Sequence, residues 1–278
     1  MAVKIVTDSG SDLPPEIARA LGITVVPVYI YFGEQAYRDW VDISPDELFK
    51  RLVEGPVHPT TTQPMPVDFA NVYRKLSEVA DGIVSIHLGT KVSGTVNSAL
   101  QGKETAQARC PIEVVDSQTL SMGLGLIVMA AARVAQSGGT MEQVLEETKK
   151  AMSQMRLLGL LDTLKYLLAG GRITKTKALV GTLLKVKPIL TLKDGGLVQA
   201  GMARSFPKGM DKLVKFVKGF PNVKDVAIVQ GTVPEQANEL KRRIATFVPE
   251  ERIYMARLGA GLGVHGGPGT LIVSLLTA

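Results

Sequence analysis

Cysteine, histidine and aromatic side chains are scarce in this chain of 278 residues. It contains one cysteine and three histidines, and only 5% of its residues are Phe, Trp or Tyr. The single cysteine, Cys110, excludes an internal disulfide and is typical of a reducing compartment, so we predict a cytoplasmic protein. One cysteine and three widely spaced histidines form no recognisable set of metal ligands, so we predict no metal site.

Long apolar runs are also missing. The longest nearly uncharged stretch, SMGLGLIVMAAA at 121–132, is shorter than the roughly 20 apolar residues that a membrane span needs. The N-terminal sequence MAVKIVTDSGSDL turns polar and acidic before a signal-like apolar segment develops. We therefore expect no stable membrane insertion. The 45% hydrophobic and 21% charged residues are typical of a globular protein with a sizeable core.

Charge is distributed unevenly along the chain, although the formal net charge is only +6. Residues 1–120 carry 10 Lys and Arg against 15 Asp and Glu, whereas residues 172–224 carry 12 against 2. Such a basic stretch could dock nucleic acid, an acidic lipid surface or an acidic protein, or it could be a solvated lysine-rich face. It contains no zinc-finger or RNP motif, so we do not expect nucleic acid as a partner.

Segments that favour strands alternate with segments that favour helices in the first half of the chain. This alternation is typical of an α/β layer with parallel strands. ITVVPVYIYF at 23–32 is mostly apolar and is predicted to be one strand buried on both faces. Thr140 and Gln143 have the spacing of a capping box, which predicts that a helix begins after Thr140.

The character of the chain changes near residue 157. A basic helix is predicted at 175–186, and the next segment is predicted to be a β-hairpin that turns on residues 194–196. Strands and helices then alternate to the C-terminus. We therefore predict two α/β domains, residues 1–157 and residues 158–278, that pack closely and form a cleft.

A glycine-rich segment near the C-terminus, AGLGVHGGPGT, contains the spacing G-x-G-x-x-G at Gly261, Gly263 and Gly266. A dinucleotide site would need a following helix, a second strand and a later acidic residue. Only 12 residues follow Gly266, and they are predicted to form a strand. The segment is therefore interpreted as a sharp turn between two strands that carries His265 and can aim N–H groups at an anion.

Two other loops have a similar character. HPTTTQPMPVDF at 58–69 places Thr61 and Thr62 before a helix, and HLGTKVSGTVNSA at 87–99 places Ser93 between a strand and a helix. Ligands in open α/β sheets bind beyond the carboxyl ends of strands, where helix N-termini offer unpaired N–H groups. The ordinary explanation of Ser93 is a helix cap, because serine is favoured there.

A hydrolase is the alternative that these loops leave open. Ser93, His265 and a strand-end aspartate, Asp8 or Asp116, could form a triad that acts on an acyl or phosphoester substrate. The sequence does not show that these side chains meet. Turns and caps also account for aspartates in TDSGSDL without any catalytic role.

The loops, taken in order along almost the whole chain, resemble the DegV family. One such segment would be unspecific, but seven in register at similar spacing form a strong signal. The matching segments are VTDSGSDL at 6–13, TTQP at 61–64, VSGTVNSA at 92–99, VVDSQTLSMGLG at 114–125, LDTLKYLLAGGRI at 161–173, VKPIL at 186–190 and HGGPG at 265–269.

The resemblance implies an N-terminal parallel-sheet α/β/α domain, a C-terminal mixed α/β domain and a ligand site between them. It implies a carrier that encloses one long-chain fatty acid in a tunnel, with no catalytic residues, no cofactor and no turnover of its own. Its partner would be a separate fatty acid kinase subunit, which uses ATP to convert the presented carboxylate to an acyl phosphate.

The same resemblance implies roles for particular residues. Thr62 and Ser93 would hold the carboxylate, and Thr61 and His265 would complete the hydrogen-bond network. Relatives often have serine where this chain has Thr62, and GTKVSGT replaces a more usual double serine, so the head-group pocket is expected to differ in detail. Arg172 and Arg204 would lie near the portal and the kinase-facing surface.

Overall fold

The computed structural model describes residues 2–173 and 186–278, in which strands and helices build three sheets and their covering layers. The predicted basic helix at 175–186 lies outside the described residues, apart from Val186. The strands are Ala2–Asp8 (β1), Ile23–Val26 (β2), Tyr29–Phe32 (β3), Gln35–Arg38 (β4), Thr60–Thr62 (β5), Ala80–His87 (β6), Ile112–Asp116 (β7), Met155–Leu160 (β8), Lys187–Lys193 (β9), Gly196–Ala203 (β10), Val223–Gln230 (β11), Ile253–Arg257 (β12) and Leu271–Thr277 (β13). The α-helices are Pro15–Ala20 (α1), Pro45–Glu54 (α2), Pro66–Leu76 (α3), Thr95–Thr105 (α4), Ser121–Gln136 (α5), Met141–Gln154 (α6), Lys165–Ala169 (α7), Phe206–Lys218 (α8), Pro234–Ala245 (α9) and Ala260–Gly266 (α10).

The N-terminal half contains a parallel sheet in the order β2-β1-β6-β7, as the alternation of elements predicts. Neighbouring residues of β6 face opposite sides. Ile83 packs in the cluster that contains Phe69 of α3, whereas Val84 packs in the cluster that contains α5. Both faces of β6 are therefore covered by helices, which explains its continuous apolar sequence.

The prediction of one strand at 23–32 was wrong. β2 ends at Val26 and pairs with β1, whereas β3 begins at Tyr29 and belongs to a separate antiparallel sheet, β4-β3-β5. Pro27 separates them, and proline has no N–H for a ladder. The next N–H, that of Val28, donates to Ser9 Oγ over 3.1 Å.

The C-terminal half forms a mixed sheet in the order β10-β9-β8-β13-β11-β12, in which only β11 and β12 pair in parallel among the described strands. Its outer face packs against α8 and α9. The predicted hairpin is confirmed, because β9 and β10 pair around Asp194 and Gly195, whose φ values of 49° and 77° suit a tight turn.

Helix α5 lies between the parallel sheet and the six-stranded sheet, and it contacts strands of both. Its residues from Ser121 to Ala132 are all buried, which explains the long uncharged stretch, because a helix that is apolar all round is a core helix. The first charged side chain, Arg133, emerges at the edge and pairs with Asp225 over 3.1 Å. Within the described ranges, no helix combines the length and apolar character needed to cross a bilayer.

The helix predicted after Thr140 is confirmed as α6. Its capping box is formed by Thr140 and Gln143, each of which bonds the other's backbone N–H. The predicted domain boundary at 157 falls inside β8, which is paired with β13 and β9 of the C-terminal sheet. The division into residues 1–157 and 158–278 stays a prediction.

Candidate functional site

A cavity of about 890 Å³, part of it open to solvent, lies where the loops of the parallel sheet face the six-stranded sheet. Its walls are mainly aliphatic, with nine leucines, two valines and one isoleucine. A mainly apolar lining with a few polar side chains is typical of small-molecule sites.

Most polar side chains of this cavity are those that the sequence singled out. Thr61, Thr62, Ser93, His265 and Arg172 all line it, although they come from four separate segments of the chain. Arg204 does not line it and is exposed between β10 and α8. Sequence reasoning did not assign a role to Gln63, which also lines the cavity and whose side chain packs against Gly94 at the start of α4.

Thr61 and His265 connect two of these segments. Thr61 belongs to the short strand β5, where it is the register partner of Ile30 in β3. Its Oγ1 lies 2.7 Å from His265 Nε2, which is carried by α10. The threonine strand and the glycine-rich segment, 204 residues apart in sequence, therefore meet in one hydrogen bond.

The interpretation of the glycine-rich segment as a simple turn was wrong, because residues 260–266 form the helix α10. Two buried carboxylates outside the segment satisfy its first N–H groups. Asp12 Oδ1 accepts from Gly259 N–H over 2.8 Å, and Asp39 Oδ1 accepts from Ala260 N–H over 2.9 Å. These bonds satisfy two N–H groups that the start of a helix leaves without an intrahelical partner, so they fix the helix that carries His265.

Sequence reasoning missed Asp12 and Asp39 as site residues. Asp12 lay inside the TDSGSDL segment, whereas Asp39 had no recognisable motif. Burial raises the pKa of Asp12 to about 8, and the nearby Asp39 carboxylate adds to the shift. Burial also raises the pKa of Asp39 to about 6. Ser121 on α5 donates to Asp12 Oδ2 over 2.5 Å, which joins this pair to the central helix.

His265 is neutral at ordinary pH. Only 7% of its surface is exposed, and burial lowers the pKa of the imidazole to about 3, with Arg172 and His58 contributing further positive charge nearby. Its Nδ1 has no hydrogen-bond partner among the described residues. Arg172 donates from its guanidinium to the Gly170 carbonyl over 2.7 Å, and burial lowers its pKa.

The imidazole of His265 lies directly against Gly170, in space that a side chain at position 170 would occupy. A Cβ at Gly170 would overlap His265 Nδ1 and Cε1. We expect Gly170→Ala to displace the ring, break its bond to Thr61 and lower the free energy of unfolding by roughly 1–3 kcal/mol, the range for overpacking. Urea denaturation measures this.

Gly219→Ala is the matched control, since Gly219 also follows a helix, has φ −73° compared with −80° at Gly170, and would meet nothing closer than 3.3 Å. Equal stability changes in the two variants would contradict the proposed steric role of Gly170.

Ser93 lies one residue before Gly94, the N-cap of α4. Its Oγ accepts from Thr95 N–H over 3.3 Å and lies 2.7 Å from Thr95 Oγ1. The serine therefore helps to satisfy the start of α4, as the capping interpretation expects, and it lines the cavity as well. When Thr95 donates to Ser93, the hydroxyl hydrogen of Ser93 is available to a ligand.

The described contacts do not assemble the triad of the hydrolase alternative. Asp116 accepts from Thr90 Oγ1 over 2.7 Å, and Asp8 accepts from His87 Nδ1 over 2.9 Å, so neither carboxylate is bonded to His265. His265 bonds Thr61 rather than Ser93.

Asp8 instead belongs to a separate hydrogen-bond network that includes a serine and a histidine. Ser85 Oγ lies 2.7 Å from His87 Nε2, and Tyr73 donates to Ser85 over 2.8 Å. All four side chains of this network are fully buried and none lines the cavity, so we assign the network a structural role.

Comparison with known proteins identifies the family. A family model, described as "Uncharacterised protein, DegV family", matches residues 2–278. The chain belongs to the DegV family. A DegV domain-containing protein from Caldanaerobacter subterraneus subsp. tengcongensis is 34% identical over 270 residues, which cover 96% of this chain and 95% of that protein.

Solved DegV structures have the same fold. A fatty-acid-binding DegV family protein from Thermus thermophilus superposes with a TM-score of 0.92. It is 36% identical, and the match covers both chains in full. DegV from Bacillus subtilis, a fatty acid binding protein, superposes with a TM-score of 0.89 at 26% identity, again over both full chains. The DegV resemblance and the predicted mixed α/β fold are therefore confirmed.

The DegV fold explains why the cavity is assembled from remote segments, because its polar residues lie within strands or in the connections between them. Across residues 2–173 and 186–278, no group of three or more His, Cys, Asp or Glu side chains is placed to hold a metal ion.

Proposed function

We propose that this DegV protein binds one long-chain fatty acid in the cavity, with the carboxylate at Thr61, Thr62, Ser93 and His265. The observation that carries the proposal is the composition of the cavity, which is aliphatic over most of its wall and has hydroxyls, one imidazole and one guanidinium in the remainder. An amphiphile with a long apolar tail and one anionic head fits that division.

The apolar wall accounts for most of the expected affinity. Burial of a methylene contributes about 0.8 kcal/mol, so a tail of roughly 14 methylenes contributes about 11 kcal/mol before the costs of binding. A hydrogen bond to a charged group contributes about 1.5–3 kcal/mol. The tail would therefore determine the affinity, and the hydroxyl groups would determine which end of the ligand lies at the loops.

Neutral donors suit a carboxylate that must stay reactive. The pKa of His265 lies far below neutrality, so its imidazole would hold the head group as a hydrogen-bonding group rather than as an ion-pair partner. Thr62 is exposed and Ser93 is partly exposed, so one carboxylate oxygen would remain open to solvent or to a partner protein.

Presentation to a kinase subunit extends the proposal. We infer that the exposed head group is offered to a separate fatty acid kinase. The kinase would contact the surface that contains the partly buried Arg172 at the cavity and the exposed Arg204. The carrier itself would have no turnover, because the described hydrogen bonds of Ser93 and His265 include no catalytic aspartate. We propose a cytoplasmic location, because a single cysteine is typical of proteins in a reducing compartment.

Native mass spectrometry of the purified protein, followed by lipid extraction, tests the binding proposal. We expect a near-stoichiometric adduct with the mass of a C14–C18 fatty acid, which extraction releases unchanged. The delipidated protein, incubated with palmitate, should recover one adduct per chain. Absence of an adduct both as purified and after incubation with palmitate would refute the proposal.

A further inference from the structure

Four glycines line the cavity, and three of them are explained by close packing. A Cβ at Gly10 would overlap Leu88, one at Gly261 would overlap Val28, and one at Gly266 would lie 2.8 Å from Thr270 Oγ1. Gly159 is different. A Cβ there would meet nothing closer than 3.6 Å, at Ile272, which is ordinary van der Waals contact.

The backbone does not require glycine at 159 either. Gly159 lies inside β8, is paired on both sides, and is not among the glycines with positive φ. Glycine within a strand weakens it, and its usual reasons are a bulge or the close approach of another group. No bulge or close protein contact is present at this position, so the unfilled space is part of the cavity.

The neighbours of Gly159 give this space a shape. Its register partners on the two adjacent strands, Leu190 and Ile272, both line the cavity. So do Leu157 in β8 and Leu161 directly after it, each two positions away from Gly159. Cross-strand partners face the same side of a sheet. Gly159 is thus surrounded by four large aliphatic side chains, and we call the gap among them the notch.

The dimensions of the notch suit a polymethylene chain. Neighbouring strands are about 4.8 Å apart, so the strands that carry Leu190 and Ile272 lie roughly 9.6 Å from each other. No polar residue is among the four neighbours. An acyl chain that crosses β8 here would lie among these four aliphatic side chains.

We propose that Gly159 determines tail-length specificity, because the notch accepts methylenes of a long acyl chain that any larger residue would displace. This inference rests on the proposed function. The head-group residues lie on β5, α10 and the loop before α4, and none lies on β8. A short tail anchored there would end before β8 and leave the notch empty, whereas a long tail would fill it.

The test compares decanoate with palmitate on delipidated Gly159→Ala, Gly159→Val and Gly159→Leu. Each displaced methylene lowers affinity about fourfold. We expect the ratio of palmitate affinity to decanoate affinity to fall about fourfold in Gly159→Ala and on the order of 200-fold in Gly159→Leu. The melting temperature of the ligand-free Gly159→Ala protein should be unchanged or higher, since alanine restricts the unfolded chain more than glycine does.

Gly196→Ala is the matched control, because Gly196 also lies in a strand, has room for a Cβ at 3.5 Å and does not line the cavity. Its affinity ratio should equal that of the wild type. An unchanged ratio in Gly159→Ala, Gly159→Val and Gly159→Leu would overturn the role of Gly159. Failure of the wild type to bind palmitate would instead refute the proposed function.

Discussion

The double variant Thr62→Val, Ser93→Ala is expected to lose palmitate affinity by a factor on the order of 10² to 10⁴. Both hydroxyls line the polar part of the cavity, and each would donate to the carboxylate. Loss of a hydrogen bond to a charged group removes about 1.5–3 kcal/mol. Valine keeps the shape of threonine, so the aliphatic wall remains. Isothermal titration of delipidated protein with palmitate measures the change.

Thr60→Val is the control for this experiment. Thr60 lies in the same strand β5 and is exposed, but it does not line the cavity. Its affinity should match that of the wild type. Ser93→Ala also removes the acceptor for Thr95 N–H, which costs about 1 kcal/mol of stability, so urea denaturation should accompany the titration. An affinity of the double variant within threefold of the wild type would place the carboxylate elsewhere.

Residues in the loops were the part of the site that the sequence predicted best. Thr61 and Thr62 stood before a predicted helix, and Ser93 stood between a strand and a helix, where open α/β sheets bind ligands. The resemblance to DegV proteins then grouped them with His265. The structure places all four in one cavity, although their contact with a carboxylate stays a prediction.

The features that sequence reasoning missed depend on contacts between remote segments. Nothing near AGLGVHG shows that Asp12 and Asp39 will satisfy the first N–H groups of a helix there. The break at Pro27 could have been found, since proline interrupts a strand that is paired on both sides. The notch at Gly159 could not, because an isolated strand glycine does not reveal its cross-strand neighbours.

The raised pKa of Asp12 leads to the second large expected effect, a fall in the free energy of unfolding as the pH rises. Its folded pKa of about 8 lies above the ordinary value of 3.8 because the carboxyl is buried. A group whose pKa is raised by folding binds more protons in the folded state, so stability decreases as pH rises from the unfolded pKa toward the folded pKa. Ionised Asp12 would face the nearby carboxylate of Asp39, which adds to the cost.

Asp12 dominates the window from pH 6.5 to 8. Asp39, with a pKa of about 6, is largely ionised there, and His265, with a pKa of about 3 in the folded state, adds only a smaller opposing change because its imidazole titrates near pH 6.5 in the unfolded chain. Over these 1.5 pH units we expect the wild type to lose about 1–2 kcal/mol of unfolding free energy, because the slope falls from near 1.36 kcal/mol per unit at pH 6.5 to about half of that at pH 8. Urea denaturation at several pH values provides the slope.

Asp12→Asn should remove that slope and become the more stable protein toward pH 8. Asparagine tolerates the left-handed backbone of residue 12, whose φ is 51°. Its amide oxygen can accept from Gly259 N–H, and its amide nitrogen can take the place of Oδ2 if the Ser121 hydroxyl turns to accept from it.

Asp42→Asn is the matched control, since Arg38 holds the pKa of Asp42 at about 2 and this carboxylate stays ionised throughout the window. Its slope should equal that of the wild type. A wild-type slope in Asp12→Asn would assign the titration to another group. Loss of the slope would mean that the helix carrying His265 is bonded to a carboxyl that is protonated near neutral pH, so the folded protein that holds the head-group site would become less stable as the solution becomes alkaline.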